Sequence, residues 1–258
     1  MKFSIITPSF NQGVFLRETI ESVISQKGDF EIEYFVIDGG SSDKSVEILK
    51  EYQEKLKNNS KIKFYWQSKQ DKGQADAINI GIKKATGDVF SYINSDDYYL
   101  PGTLNIVSSY FKTSRDKLWL VGNCKVSDPK LSWTFTLKHL WPIQISKNAL
   151  LVFNTINQPS VFLKKSLVQK VGFFNTKLRF AFDYDYWLRC IRHSLPGRVK
   201  MNLSVFRIHN QSKGNTSFKG QFLEDMAVVK KYTTNRLIIK IHSIGKKIVE
   251  DNYKKLKP

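Results

Sequence analysis

Carboxylates gather at a few points in this sequence, and their setting suggests a chemistry. Asp96 and Asp97 stand together in the stretch from Gly87 to Pro101, GDVFSYINSDDYYLP. Val89, Phe90, Tyr92 and Ile93 before them form a short apolar run, which reads as a buried strand leaving a core. Side chains alternate in direction along an extended chain. Two consecutive aspartates at a strand end can therefore face two parts of one ligand, such as a sugar hydroxyl and a metal. Turn chemistry with helix capping is the simpler alternative. Pro101 sits where the first turn of a helix would start, with Gly102 to Phe111 continuing it.

The elements that would position this pair lie upstream. Lys2 to Thr7 reads as a buried strand that Pro8 ends. A polar loop follows, then an amphipathic helix with Leu16, Ile20, Val23 and Ile24 on one face. Glu31 to Ile37 is a second strand ending in Asp38-Gly39-Gly40-Ser41-Ser42-Asp43. The next helix carries Val46 and Leu49 on its apolar face. Ile62 to Trp66 is a third strand, and a helix from about Gln74 to Ala85 leads back to the strand before Asp96. Alternation of strand and helix over the first 111 residues argues for a mostly parallel, Rossmann-like α/β sheet with helices on both faces. Such a sheet binds ligands outside the carboxyl ends of its strands. Pro8-Ser9, Asp38, Asp71 and Asp96-Asp97 all fall at those ends. Carboxylates without histidine–cysteine clusters suit a hard cation, Mg2+ or Mn2+. No glycine-rich phosphate loop is present, so the charge of a bound phosphate needs a metal instead.

Composition narrows the classes. At 258 residues and 41% hydrophobic content, the chain has room for one large α/β domain or two small ones. No apolar run of membrane-spanning length occurs, and Met1 to Pro8 enters a strand pattern at once, unlike a signal peptide. Cys124 and Cys190 lie in unrelated patterns and read as reduced thiols of a cytoplasmic protein. A formal charge of +18 implies an anionic partner: nucleic acid, an acidic membrane surface or an anionic substrate. Compositional bias toward lysine is the simpler account.

Four segments in register, ITPSFN, VIDGGSSD, DKGQADAINIGIKKATGD and YINSDD, resemble the bacterial family 2 glycosyltransferases of GT-A fold. The likeness is dense over residues 1 to 112 and looser over 155 to 210. It implies a GT-A domain over 1–215, with a nucleotide-sugar half (1–112) and an acceptor half (113–215). By the same likeness Pro8, Ser9 and Asn11 line the nucleotide base, and Asp38 accepts from a uracil-type ring edge. Asp71, Gly73 and Asp76 lie beside the ribose and donor sugar. Asp97 binds the metal, and Asp96 faces the ribose or the outer surroundings of that metal. Asp43 reads as a helix-start residue, and Asp76 and Asn79 could instead be the polar face of a helix. Asn157 to Phe162 resembles the segment that returns to the active site.

Further along, Asp183 in Phe182-Asp183-Tyr184-Asp185-Tyr186-Trp187 aligns with the family's catalytic base. The acidic residue usually written before it is Phe182 here. Asp185 suits the start of a helix by its charge. Val199 to Ile208 reads as a strand, and His209 after it resembles an R-x-H element whose imidazole approaches the diphosphate metal. Trp133 and Trp141 belong to an aromatic stretch that could stack on a sugar ring, with core packing or a lid as the plainer account.

The likeness therefore implies a metal-dependent, inverting glycosyltransferase using a nucleotide-sugar donor, UDP-linked. A saccharide or lipid-linked saccharide of a surface polysaccharide is the implied acceptor. A nucleotidyltransferase of similar fold would want a glycine- and basic-rich loop after the first strand, and Pro8-Ser9-Phe10-Asn11 is not one. A nucleic-acid binder is suggested by charge alone, and no nucleic acid is expected as partner. Residues 216–258 read as a basic amphipathic helical tail. In it Leu237, Ile241, Ile244 and Ile248 form a seam flanked by Arg236, Lys240, Lys246 and Lys247. An anionic membrane, at the inner face of the cell membrane, is a candidate partner for that helix, and packing on its own domain or a second subunit is the alternative. No motif speaks to oligomeric state.

Overall fold

A computed structural model describes residues 1–127, 134–137, 146–209 and 218–255. Its first half follows from the apolar runs. Strands β1 (Lys2–Ser9), β2 (Glu31–Asp38), β3 (Ile62–Ser68) and β4 (Val89–Tyr92) lie parallel in the order β3-β2-β1-β4. Helices α1 (Gly13–Ile24), α2 (Ser45–Leu56) and α3 (Gln74–Lys84) make the crossovers. Strands buried on both faces read as near-continuous apolar runs, and alternate residues divide between two cores. Phe3, Ile5, Tyr34 and Val36 pack with Leu16, Ile20, Leu49 and Tyr52 on one face. Ile6, Phe35 and Ile37 pack with Ala77 and Ile78 on the other. Burying a side chain such as Leu16 contributes roughly 1.5–3 kcal/mol.

β1 runs slightly past its expected end. Pro8 stands opposite Ile37 while pairing with β4 stops at Ile6 opposite Tyr92. The missing amide hydrogen of Pro8 therefore faces a side where no strand remains to accept it. The start of β4 is pinned by a carboxylate inside the sheet. Glu33, almost fully buried, accepts from Thr86 Oγ1 at 2.8 Å and Gly87 N at 2.9 Å and pairs with Lys2. Burial alone would raise its pKa, but Lys2, Ser4 and Thr86 outweigh that and hold it at about 2.

After β4 the sheet becomes mixed. β5 (Tyr98–Tyr99) precedes α4 (Thr103–Thr113). Gly102, at φ 80°, holds a left-handed conformation that delays the helix beyond Pro101. Strands β6 (Trp119–Ser127), β7 (Thr134–Leu137), β8 (Val161–Lys164) and β9 (Gly197–Arg207) extend the sheet, with α5 (Lys147–Val152), α6 (Lys165–Val171) and α7 (Phe182–Cys190) between them. The full order is β3-β2-β1-β4-β8-β6-β9-β5, with β7 on β6. β8 is antiparallel to β4 and β6, and β9 is parallel to β6.

The final helices are α8 (Phe218–Tyr232) and α9 (Arg236–Lys255). Val228 and Val229 of α8 enter the same core as Trp187 and Leu150, and Ile238 and Ile239 of α9 pack against it. His242, fully buried, faces the Leu151 carbonyl at 3.0 Å. The apolar seam expected in α9 is thus not the buried one: Leu237, Ile241 and Ile244 point outward, 65%, 43% and 51% exposed. Trp133 and Trp141 lie outside the described residues.

Candidate active site

All four parallel strands end at one edge, and the acidic residues assemble there because of it. Asp38 closes β2 and is fully buried. Its Oδ2 accepts from Ser41 N at 2.8 Å, Gly40 N at 3.2 Å and Ser68 Oγ at 2.6 Å, and its Oδ1 accepts from Ser41 Oγ at 2.5 Å. Oδ2 is thus taken up by the loop and by β3, while Oδ1 accepts from the Ser41 hydroxyl alone and keeps capacity for a second donor. The next residue, Gly39, donates to the Ser9 carbonyl at 2.8 Å. A Cβ there would stand 3.1 Å from Asp71 Oδ2 and 3.4 Å from Phe10 Cδ2. Asp71 and the exposed ring of Phe10 therefore stand close against Gly39.

The loop residues divide into floor and fastening. Pro8 and Ser9 are buried at the end of β1, and Ser9 Oγ has no partner among the described residues. Asn11 is held at φ 51° and fastens the neighbouring loop, accepting at Oδ1 from Ser42 N at 2.9 Å. Asp43 accepts from Gly13 N at 2.8 Å and Ser45 N at 3.0 Å, so it serves the starts of α1 and α2. Asp71 accepts from Gly73 N at 2.7 Å, and Asp76 from Lys72 N at 3.1 Å. Asp76 thus reaches back from the first turn of α3, a capping function. Asn79 is buried and exchanges two hydrogen bonds with the backbone of Phe174, at 2.9 and 2.8 Å, away from the strand ends.

The adjacent aspartates differ sharply in burial and in partners. Asp97, expected to hold the metal, is fully buried. Its Oδ1 accepts from Arg207 N at 3.0 Å, and its Oδ2 from Asn94 Nδ2 at 3.1 Å. Burial, and then the charge of Asp96, push its pKa well above the carboxylate range. Asp96 keeps a 21% exposed side chain, and its Oδ2 lies 3.0 Å from His209 Nε2. The cause is the last residues of β9: the Arg207 N–H claims Asp97, and two residues later His209 meets Asp96. Arg207 donates to the Asp96 carbonyl at 3.0 Å, pairs with Glu18 and stacks over Tyr98 at 4.5 Å. Among the described residues no cluster of three or more acidic, histidine or cysteine groups forms a complete metal cage. A carboxylate oxygen next to an imidazole nitrogen is nonetheless the donor set of a divalent cation that takes its other ligands from phosphate and water.

A polar chain runs beside this pair. Gln74 donates to Asn94 Oδ1 at 2.6 Å, Asn94 to Gln158 Oε1 at 3.2 Å, and Gln158 to the Tyr92 carbonyl at 2.9 Å. The segment Asn157 to Phe162 therefore does return to the end of β4. Asp183 sits in the first turn of α7, with partial exposure. Its Oδ1 accepts from Tyr184 N at 2.7 Å. Burial, with a smaller contribution from Asp225, pushes its pKa up to about 6, against the Tyr184 N–H and Lys246. The buried phenol of Tyr92 feels burial first and then the charges of Asp183 and Asp97, which raise its pKa well above the ordinary value. Both aspartates therefore flank one residue at the end of β4. Asp185 faces the other way. It is buried and accepts from Arg189 Nε at 3.0 Å, Lys231 Nζ at 2.9 Å and Tyr232 OH at 2.8 Å, tying α8 to α7.

A carboxylate–imidazole pair stands past the end of β4, and a second, partly exposed carboxylate opens α7. The sequence model described as glycosyl transferase family 2 matches residues 4–170. The chain belongs to that family. It is a glycosyltransferase with a GT-A sheet, which sets aside the nucleotidyltransferase and nucleic-acid-binding readings.

An uncharacterised glycosyltransferase of Rickettsia typhi is 28% identical over 222 residues, 83% of this chain and 66% of its own length. One from Mycobacterium tuberculosis is 30% identical over 79% of this chain and 74% of its own. The minor teichoic acid biosynthesis protein GgaB of Bacillus subtilis is 35% identical over 46% of this chain, but that match covers 13% of GgaB. Among solved structures, S. aureus TarS 1-349 in complex with UDP-GlcNAc matches with a TM-score of 0.69 and 18% identity, over 91% of this chain and 67% of that one. PcManGT, a mannosyltransferase from Pyrobaculum calidifontis in complex with GDP-Man and Mn2+, matches with a TM-score of 0.66 and 14% identity over 93% of this chain and 68% of its own. The chain spans 40% of the longer TarS structure. Among the described residues of this glycosyltransferase, no helix is long and apolar enough to cross a membrane.

Gln74, Asn94 and Glu224 carry no local signature of their own in the sequence, and only their tertiary partners distinguish them.

Proposed function

We propose that this glycosyltransferase moves a sugar from a UDP-linked donor to a hydroxyl of a saccharide or lipid-linked saccharide, with inversion at the anomeric carbon. The observation that carries this reading is the Asp96–His209 pair at the edge where the parallel strands end, with the partly exposed Asp183 opening α7. The UDP-GlcNAc bound to TarS supports the donor class, and the name of GgaB supports a polymer acceptor. Asp38 accepts from the base edge at Oδ1, with Asp71 close by next to Gly39. The buried Ser9 hydroxyl is available to a ligand at the same edge.

Asp96 and His209 would hold a divalent cation, Mg2+ or Mn2+, and PcManGT was crystallised with Mn2+. When bound, such an ion offsets the charge that the departing diphosphate acquires. Asp97 holds the Arg207 N–H and so fixes the end of β9 that presents His209. Asp183 accepts the proton of the acceptor hydroxyl. That oxygen attacks the anomeric carbon opposite the diphosphate, the carbon–oxygen bond to the diphosphate breaks, and the configuration inverts. No covalent glycosyl-enzyme is needed.

Calorimetric titration with UDP, GDP and dTDP, each with and without Mn2+, tests the donor side. Metal-dependent binding of UDP tighter than GDP is the expected result. Equal or absent binding of all three with the metal present overturns it.

α9 adds a surface to this reading. Leu237, Ile241 and Ile244 are exposed on it, and Arg236, Lys240 and Lys247 are exposed around them. An apolar stripe flanked by cations fits an anionic bilayer, each cation near the surface contributing about 1 kcal/mol. Removing the helix would also strip the core of Ile238, Ile239 and His242, so substitution is the sound test. The triple change of Leu237, Ile241 and Ile244 to Ser is expected to abolish sedimentation with phosphatidylglycerol vesicles and leave the melting temperature unchanged. Sedimentation equal to the parent protein ends the membrane assignment.

A further inference from the structure

One carboxylate on α8 reaches the segment that carries Asp183. Glu224 Oε1 accepts from Arg179 N at 2.9 Å, and its Oε2 accepts from Phe180 N at 2.6 Å and Ala181 N at 3.0 Å. These are three consecutive backbone donors leading into α7, and the carboxylate that takes them stands more than forty residues later in the chain. The next residue, Asp225, is 3% exposed and pairs instead with Lys246 of α9. On its own helix Asp183 has no acidic neighbour before it. Phe182 is buried there, edge-to-face with Phe174 at 5.9 Å.

We propose that Glu224 is a positioning residue for Asp183: from α8 it fixes the backbone that enters α7. The C-terminal helices then complete the active site rather than trail from it. This rests on Asp183 being the proton acceptor of the transfer.

For Glu224→Ala, amide exchange at Arg179, Phe180 and Ala181 is expected to speed up by at least about tenfold, since three charge-assisted hydrogen bonds are lost. The slow release of UDP from UDP-N-acetylglucosamine should fall while UDP affinity holds, and Glu224→Gln should recover part of both effects. Exchange and release equal to the parent overturn the role of Glu224. If instead Asp183→Asn releases UDP at the parent rate, the base assignment fails, and the exchange result remains readable without it.

Discussion

Asp183→Asn is expected to reduce sugar transfer by roughly 10²–10⁴-fold, the range that a positioned general base supplies, while UDP binding is retained. The amide has the shape of the carboxylate but cannot take a proton from the acceptor hydroxyl. The pH profile follows from the same group. Burial pushes the Asp183 pKa up to about 6, so kcat/KM should fall as pH drops through 6 and level off above it. An unperturbed aspartate would place that limb near pH 4. The linkage to stability has a definite sign. A carboxyl whose pKa is raised on folding binds its proton more tightly in the native state. Its contribution to stability is therefore present at low pH and is lost between about pH 4 and pH 6, at roughly 1.4 kcal/mol for each tenfold difference in proton affinity. Asp183→Asn removes this loss, so the variant should melt higher than the parent at pH 7 while failing to transfer. A variant with full transfer, or one whose acid limb remains at pH 6, overturns the assignment.

The second large effect separates the adjacent aspartates. Asp96→Ala removes the carboxylate that meets His209 and should erase the dependence of UDP binding on Mn2+. The loss should be at least the roughly 10–100-fold that removal of a mere supporting partner costs a metal site. Without metal, its melting temperature should stay near the parent value, because Asp96 is partly in water and its contact is with one imidazole. Asp97→Ala acts differently. It leaves the Arg207 N–H and the Asn94 amide without their buried acceptor, at a cost of about 1–3 kcal/mol for each stranded group. The protein should melt lower, and metal dependence should weaken only through displacement of β9. Calorimetry with UDP and Mn2+ on both variants decides the matter. Lost metal dependence in Asp97→Ala at unchanged melting temperature, with Asp96→Ala binding as the parent, would return the metal to Asp97.

The order of strands and helices over the first 111 residues was legible because burial on two faces leaves a local mark. Continuous apolar runs became β1, β2 and β4, and period-3.6 stripes became α1 and α2. The parallel topology then had to bring Ser9, Asp38 and the Asn94–Asp97 segment to one edge, so their assembly was already implied. The division of labour among those residues was not. Whether a carboxylate is open to a ligand depends on which donors reach it, and those come from far along the chain. Ser41 and Ser68 take up Oδ2 of Asp38, Arg207 seals Asp97, and His209 leaves Asp96 at the surface. Likewise the four-three-four spacing in α9 announces an amphipathic helix, but its partner decides which face is buried, and His242 with Ile238 and Ile239 took that place. Residue type and period are local properties, whereas solvent access and hydrogen-bond saturation belong to the packed chain. Glu224 shows the limit: nothing beside it in sequence marks it, and only the fold sets its carboxylate against the backbone that leads to Asp183.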